Sequence, residues 1–370
     1  MLKYSYYCPV EIVYGKDAVK NFKGYSAFGK KCAVITGRNM YKTSPVIDDL
    51  TAALEKNAVE ALVLAEAGNN PTVENVYDLA EKVKSFGAEF IIGVGGGSSM
   101  DAAKATALIA ANPQVDPKEI FVYSDWKKPL PSIMIGTTAG TGSEVMPSAV
   151  LTVSKDVTEK RSLKTHDSYA KIALCDPQYT ASMPDSVTVG TALDAICHSI
   201  EAIFSKKGGN FASLFGLEAI KQVSSSLDAF VAGKRDFELR DSLYYGSILA
   251  GLAINDGGTS FPHSMGYMLT TMHGIPHGYA CAVFIAEFLE RVSKISDISA
   301  VLSALGVKNT AEFKEKVGEM IKAYINIPKL SDEEIAKYSA TAMTMSVNNN
   351  YLNLTESDCR EIYCHSVNNL

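Results

Sequence analysis

With 370 residues the chain is long enough for two domains with separate cores, and a formal net charge of −6 with a pI near 5.6 excludes nucleic acid or an anionic membrane surface as its main partner. Hydrophobic residues at 47% against 21% charged ones suit a globular enzyme rather than a disordered or fibrous chain. The N-terminus lacks the apolar core of a signal peptide, no apolar run could span a bilayer, and the seven cysteines are scattered without a CxxC pair, so the expectation is a cytoplasmic protein without membrane contact.

Along the first half, short β-rich runs alternate with helical stretches. Cys32–Thr36, Ala61–Leu64, Phe90–Val94, Ser132–Ile135 and Lys171–Leu174 read as buried strands. Between them, Ser44–Lys56, Thr72–Phe86 and Ser99–Ala110 read as helices. This alternation predicts a doubly wound parallel sheet. After Asp176-Pro177 the texture changes, and from Thr188 onward the runs are long, Ala/Leu/Ser-rich and helical in period. A boundary near residue 180 follows, with an α/β domain over 1–180 and an all-α domain over 181–370.

Strand Phe90–Val94 leads straight into Gly95-Gly96-Gly97-Ser98, followed by Asp101. Glycines between a buried strand and a helix N-terminus let backbone N–H groups approach a pyrophosphate, with Ser98 or Ser99 as helix cap and Asp101 in the first turn. This is not the GxGxxG fingerprint, since Ser98 stands where its last glycine would fall. A second polar loop, Gly136 to Glu144, follows the next strand and carries Thr137, Thr138, Thr141 and Ser143. Small hydroxyl residues at the carboxyl end of a parallel strand lie where open α/β sheets bind ligands.

In the second half, scarce ligand types concentrate. Three of the six histidines, His198, His263 and His277, fall in two short segments, and Asp194 precedes His198 by one helical turn. The stretch from His263 to His277 fits a helix to about residue 272 and then a Gly/Pro-marked turn. One carboxylate with imidazoles suits Fe(II) or Zn(II), and a site without thiolate leaves the ion free as a Lewis acid. Cys197, beside His198, points off the shared face and reads as a small buried residue.

Together, Gly95-Gly96-Gly97-Ser98 with Asp101, Thr137 to Glu144, Asp194-xxx-His198, His263 and Pro276-His277-Gly278 resemble the iron-containing (group III) alcohol dehydrogenases, over nearly the whole chain from Val10–Gly15 onward. The resemblance implies an N-terminal Rossmann-like domain and a C-terminal helical domain, the dehydroquinate-synthase-like architecture, with the active site between them. It implies that Asp194, His198, His263 and His277 hold one divalent ion, Fe(II) in many members and Zn(II) in others. It further implies a homodimer. Carried over, Gly96, Gly97, Ser98 and Asp101 cradle the pyrophosphate and brace its loop. Thr137, Thr138 and Thr141 line the adenosine and ribose side, and Lys160 reaches the nicotinamide ribose.

Two departures stand out. The family often has a histidine four residues after the third ligand, and here that place is Tyr267; either Tyr267 or His273 then takes the proton-relay role. NAD-preferring relatives often place an Asp where Gly37 stands, whereas here Arg38 and Lys42 are at hand, which favours NADP(H) over NAD(H). The implied reaction is hydride transfer between a nicotinamide and a small alcohol or aldehyde polarised by the metal. The same architecture also serves polyol-phosphate dehydrogenases and dehydroquinate-synthase-like lyases. Those need several Lys/Arg near the ligands, where this chain has mainly Ser, Thr, Met, Gly and Tyr; Lys206, Lys207 and Arg161 keep an anionic substrate in view. A catalytically dead NADP-binding protein is disfavoured by the intact ligand set.

Overall fold

The computed structural model describes residues 5–154 and 157–368, which divide into two compact units. The α/β unit comprises residues 8–138 and 143–183. Its strands are β1 (Glu11–Tyr14), β2 (Lys31–Gly37), β3 (Glu60–Ala67), β4 (Phe90–Gly95), β5 (Ser132–Gly136), β6 (Ala149–Ser154), β7 (Val157–Leu163) and β8 (Ile172–Cys175). Its helices are α1 (Ala18–Asn21), α2 (Met40–Thr43), α3 (Val46–Lys56), α4 (Val73–Phe86) and α5 (Gly97–Ala111).

Six strands form one parallel sheet in the order β1-β8-β5-β4-β2-β3, with Val34 opposite Ile92 and Ile92 opposite Ile133. Successive side chains of a strand point to opposite faces, and both faces here are covered. Val34, Phe90, Ile92 and Ile133 pack with Ile47, Leu50 and Leu54 of α3. Ala33, Ile35, Ile91 and Met134 pack with Leu79 and Val83 of α4 and Ala103 of α5. Each fully buried Val, Leu, Ile, Met or Phe among them contributes roughly 1.5–3 kcal/mol, and burial on both sides is why these strands read as unbroken apolar runs rather than alternating ones.

The predicted strands and helices are present, with informative differences at their edges. Thr72 lies just outside α4 as its N-cap, accepting a bond from Asn75 N. α5 starts at Gly97 rather than Ser99, with Gly96 as N-cap, so neither Ser98 nor Ser99 caps it and Asp101 lies beyond its first turn. Val10–Gly15 contains a strand, β1, paired with β8. The stretch from Ala149 to Leu163 forms the antiparallel hairpin β6–β7.

The helical unit takes residues 184–368 together with 5–7 and 139–142. It contains α6 (Asp185–Ile203), α7 (Asn210–Val231), α8 (Phe237–Gly257), α9 (Phe261–His273), α10 (His277–Ser293), α11 (Ser299–Leu305), α12 (Thr310–Tyr324), α13 (Asp332–Met343) and α14 (Glu356–Ser366). α6 is buried on every side from Ala192 to Ala202, the pattern of a helix surrounded by others. α9 ends at Gly274, whose φ of 68° is left-handed, and Ile275 N bonds back to Leu269 O. That stop and Pro276 set His277 as the first residue of α10. α6 and α10 meet where a Cβ on Gly278 would lie 1.9 Å from Gly190 O, so only glycine fits at the crossing. Among the described residues no helix is long and apolar enough to cross a membrane.

Candidate active site

The helical unit assembles the four metal-ligand candidates around one oxygen. From Oδ1 of Asp194, Nε2 of His263 is 3.4 Å away, Nε2 of His198 is 3.8 Å and Nε2 of His277 is 4.0 Å. Asp194 and His198 come from consecutive turns of α6, His263 from the first turn of α9, and His277 from the start of α10. The His198 and His263 rings stack with centroids 4.6 Å apart. Asp194, His198 and His263 are almost fully enclosed, whereas the His277 side chain keeps 31% of its surface exposed.

Second partners fix the tautomers. Nδ1 of His198 donates to Gly140 O at 3.3 Å, and Nδ1 of His263 donates to the carboxylate of Glu201. With Nδ1 donating, the neutral form of each ring carries its lone pair at Nε2, the nitrogen that lies 3.8 Å (His198) or 3.4 Å (His263) from Asp194 Oδ1. Glu201, with no exposed surface, also accepts from Ser260 N at 2.8 Å and His263 N at 3.3 Å. Burial opposes charge on Asp194, but His198, His263 and His277 outweigh it and hold the carboxyl well below the usual carboxylate range. Burial lowers the pKa of His198 and so favours its neutral, lone-pair-bearing form.

Two atoms at the centre, Asp194 Oδ1 and His263 Nε2, are buried without a hydrogen-bond partner among the described residues. An unsatisfied buried carboxylate oxygen facing an unsatisfied imidazole nitrogen costs stability that a cation between them would recover. The donor chemistry and these orphaned atoms fit a divalent ion. A thiol lies beside the expected carboxylate and imidazoles. Cys281, one turn after His277, brings a thiol into the cluster, and its ligand atom with those of Asp194, His263 and His277 all lie within 4.8 Å of one another. Burial pushes that thiol up to about 11. Cys197, by contrast, is simply buried.

The two relay candidates part company. The Tyr267 ring stacks on His277 with centroids 5.2 Å apart and 20° between planes. His273, at the far end of α9, bonds through Nε2 to Tyr338 OH at 3.0 Å and lies 3.6 Å from Glu334, both on α13.

In the α/β unit, β4 ends at Gly95 with φ +142°, where a Cβ would lie 2.7 Å from Ser99 Oγ, so glycine is required for the chain to enter α5. The first N–H groups of a helix have no intrahelical partner, and no side chain among the described residues caps α5 at Gly96. A helix start of this kind favours a nearby anion. Thr137 N bonds Gly95 O at 2.9 Å, and Thr138 faces Gly96 with its Oγ1 buried and unpartnered among the described residues. Ser98 Oγ accepts from Asn70 N at 3.2 Å, and Lys160 Nζ donates to Asn70 Oδ1 at 2.8 Å. Asn70 thus links two of the expected nucleotide residues.

Asp101 and Ser143 brace the loop from inside. Ser143 Oγ donates to Asp101 at 2.7 Å, Asp101 also accepts from Val150 N at 2.9 Å, and buried Lys104 pairs with Asp101 at 3.1 Å. Thr141 belongs to the helical unit, with residues 139–142. Gly37 ends β2, and Arg38 after it is exposed.

Family models for iron-containing alcohol dehydrogenases match residues 9–177, and the family's C-terminal region matches residues 188–367. The chain belongs to the iron-containing alcohol dehydrogenase family. A curated relative, the NADPH-dependent butanol dehydrogenase of Clostridium saccharobutylicum, is 29% identical, covering 87% of this chain and 81% of that protein. The solved structure of an iron-containing alcohol dehydrogenase from Thermotoga maritima is similar at a TM-score of 0.90 and 29% identity, over 99% of this chain and all of that one (100%). A sulfoacetaldehyde reductase from Bifidobacterium kashiwanohense, solved with NAD+, is similar at a TM-score of 0.89 and 26% identity, over 99% of each chain. As a member of this family the chain is an oxidoreductase of the alcohol dehydrogenase type, and a metal and a nicotinamide cofactor belong to its chemistry.

Glu201, Cys281 and Asn70 were not singled out from sequence. Glu201 follows His198 by three residues and Cys281 follows His277 by four, so helical spacing from an assigned ligand was the signal available for both. Asn70 has φ +57° in the Asn69-Asn70-Pro71 turn, a loop signature without chemistry of its own.

Proposed function

We propose that this chain interconverts small aldehydes and alcohols with NADP(H), using a divalent ion held by Asp194, His198, His263 and His277, Fe(II) with Zn(II) also accepted. The observation that carries this reading is the convergence of three imidazole Nε2 atoms on Asp194 Oδ1, two of the four atoms being buried and unsatisfied. When bound, the ion supplies Lewis acidity toward the substrate oxygen and the nicotinamide supplies or accepts the hydride.

The chain's own residues prepare that chemistry. Asp194 neutralises part of the ion's charge, while Gly140 and Glu201 hold the two buried imidazoles in the ligating tautomer. Half-exposed His277 marks the side from which substrate enters. For the proton step, stacking on His277 supports Tyr267, whose hydroxyl exchanges a proton with the substrate oxygen. His273, bonded to Tyr338, is a structural residue in this reading. Gly95, Gly96, Gly97 and Ser98 receive the pyrophosphate, Thr137, Thr138 and Thr141 line the adenosine side, and Lys160 binds the nicotinamide ribose. Gly37 in place of a carboxylate, with exposed Arg38 beside it, supports NADP(H). The division near residue 180 into nucleotide- and metal-binding halves, a cytoplasmic location and a homodimer complete the proposal, and light scattering tests the last.

The deciding experiment is oxidation of NADPH and NADH by anaerobically Fe(II)-loaded protein with a panel of small aldehydes, one of them anionic because a similar structure is a sulfoacetaldehyde reductase. Metal-dependent turnover with a neutral aldehyde, faster with NADPH, is expected. Turnover confined to anionic substrates, or none beyond a metal-stripped control, overturns the reading.

A further inference from the structure

The loop before α14 reaches back to the start of the helix that carries His263. Asn350, fully enclosed in that loop, donates through Nδ2 to Ser260 Oγ at 2.7 Å and to Val347 O at 2.8 Å, while its Oδ1 accepts from Leu352 N at 2.8 Å. Its backbone forms an antiparallel bridge with Ser205, just past the end of α6. Neighbouring Asn349 donates to Gly257 O and Thr259 O, both at 2.9 Å, in the turn between α8 and α9. Residues 90 positions apart in sequence thus register the end of α6 against the start of α9. Ser260 is the N-cap of α9, yet its side chain makes no capping bond. A serine there ordinarily accepts from the second or third N–H of its helix. The second residue, Pro262, has no N–H, which leaves His263 N as the one donor in range. That N–H instead donates to Glu201 Oε1 at 3.3 Å, and the same carboxylate accepts from Ser260 N and from His263 Nδ1. Ser260 Oγ and Glu201 are therefore rival acceptors for one donor on a proposed ligand.

We propose that Asn350 is a positioning residue for the metal site: by engaging the Ser260 hydroxyl it keeps α9 from capping itself and leaves both N–H groups of His263, backbone and ring, to Glu201. The proposal rests on the preceding reading that His263 is a metal ligand. Without the Asn350 amide, Ser260 Oγ turns about its Cα–Cβ bond and caps His263 N, the ordinary arrangement at a helix start. Glu201 then holds His263 by the ring alone, and Nε2 loses its fixed direction toward Asp194 Oδ1, 3.4 Å away. Donors of a metal site have to be held to within about 0.5 Å by the residues behind them. The loss therefore falls on cation affinity, and its source is a hydroxyl that a second substitution can take away.

The test loads the full metal-stripped chain with Co(II) under anaerobic conditions, reading affinity by competition with a chelator and ligand geometry by visible d–d absorption. Asn350→Ala is expected to bind cobalt about tenfold more weakly than the unmodified protein, with a shifted visible spectrum and unchanged NADPH affinity. Ser260→Gly removes the rival hydroxyl at little cost to the helix start and is expected to stay within about twofold of the unmodified chain. Combining the two substitutions is expected to restore affinity to within about threefold, a non-additivity that general loosening of the loop does not produce. Unchanged affinity in Asn350→Ala, an equal loss in Ser260→Gly, or a double variant no better than Asn350→Ala overturns the proposal and leaves the metal reading intact. No cobalt bound by the unmodified protein overturns both. If Asn350→Ala does not fold, Asn350→Ser replaces it, since its hydroxyl still accepts from Leu352 N but is too short to reach Ser260.

Discussion

The two units treat their polar groups in opposite ways. In the helical unit the proposed metal-binding groups are side chains sunk among helices, with Asp194 at 3%, His263 at 2% and Glu201, which supports His263, at 0% exposure. His198 and His263 are each pinned there through Nδ1. In the α/β unit the proposed binding groups are mostly backbone N–H groups at the start of α5, where no side chain caps the helix and a Cβ at Gly95 or Gly96 would crowd Ser99 or Thr138. A metal needs fixed donors that the protein itself leaves unsatisfied, whereas a nucleotide phosphate needs open donors and room for close approach. The helical site is therefore sensitive to removal of atoms, and the α/β site to addition of them.

The sharpest way to break this contrast is His263→Ala. Losing a central ligand removes several kcal/mol of Lewis-acid stabilisation, a fall in kcat/KM on the order of 10³-fold or more, with metal content falling in parallel. Unchanged metal content and turnover would sink the ligand assignment. Next in size is Glu201→Gln, which keeps the shape but weakens the hold on His263 Nδ1. Metal affinity measured against a chelator should drop about 10–100-fold while nucleotide binding stays the same. In the other unit, Gly37→Asp places a carboxylate after β2, and the NADPH-to-NADH preference in kcat/KM should fall roughly tenfold with metal content untouched, the scale of one charge-assisted hydrogen bond. The smallest effect belongs to the relay pair. Tyr267→Phe should lower kcat several-fold, within the reach of general acid–base catalysis, and flatten its pH profile. His273→Ala should leave kcat unchanged and lower thermal stability by about 1 kcal/mol for the lost Tyr338 bond.

The same contrast explains what could be read from the chain. β2, β4 and β5 were legible because burial on both faces leaves continuous apolar runs. β1 was not, since only four residues, one exposed and three half-buried, pair along one edge, and the hairpin β6–β7 carries Glu159, Lys160 and Arg161 where a strand pattern is sought. The start of α5 was misplaced because serine is the ordinary cap, whereas here glycine opens the helix and the serines lie inside it. Asp194 and the three histidines stood out as scarce types at helical spacing. Glu201 did not, because its identity as a buried support depends on α9 folding back against α6, which no local pattern announces.

The crossing at Gly190 and Gly278 carries a further consequence. His277 precedes Gly278, and Asp194 lies one turn beyond Gly190, so the backbone contact that lets α6 and α10 touch also sets the gap between two of the proposed ligands. Folding and cation affinity are then thermodynamically linked through one point of closest approach. A wedge there, even the methyl of Gly278→Ala, would loosen both together. Conversely, an ion clasped by the two helices would act as a rivet, raising resistance to unfolding by about 2.7 kcal/mol at a free concentration of about 100 times its Kd.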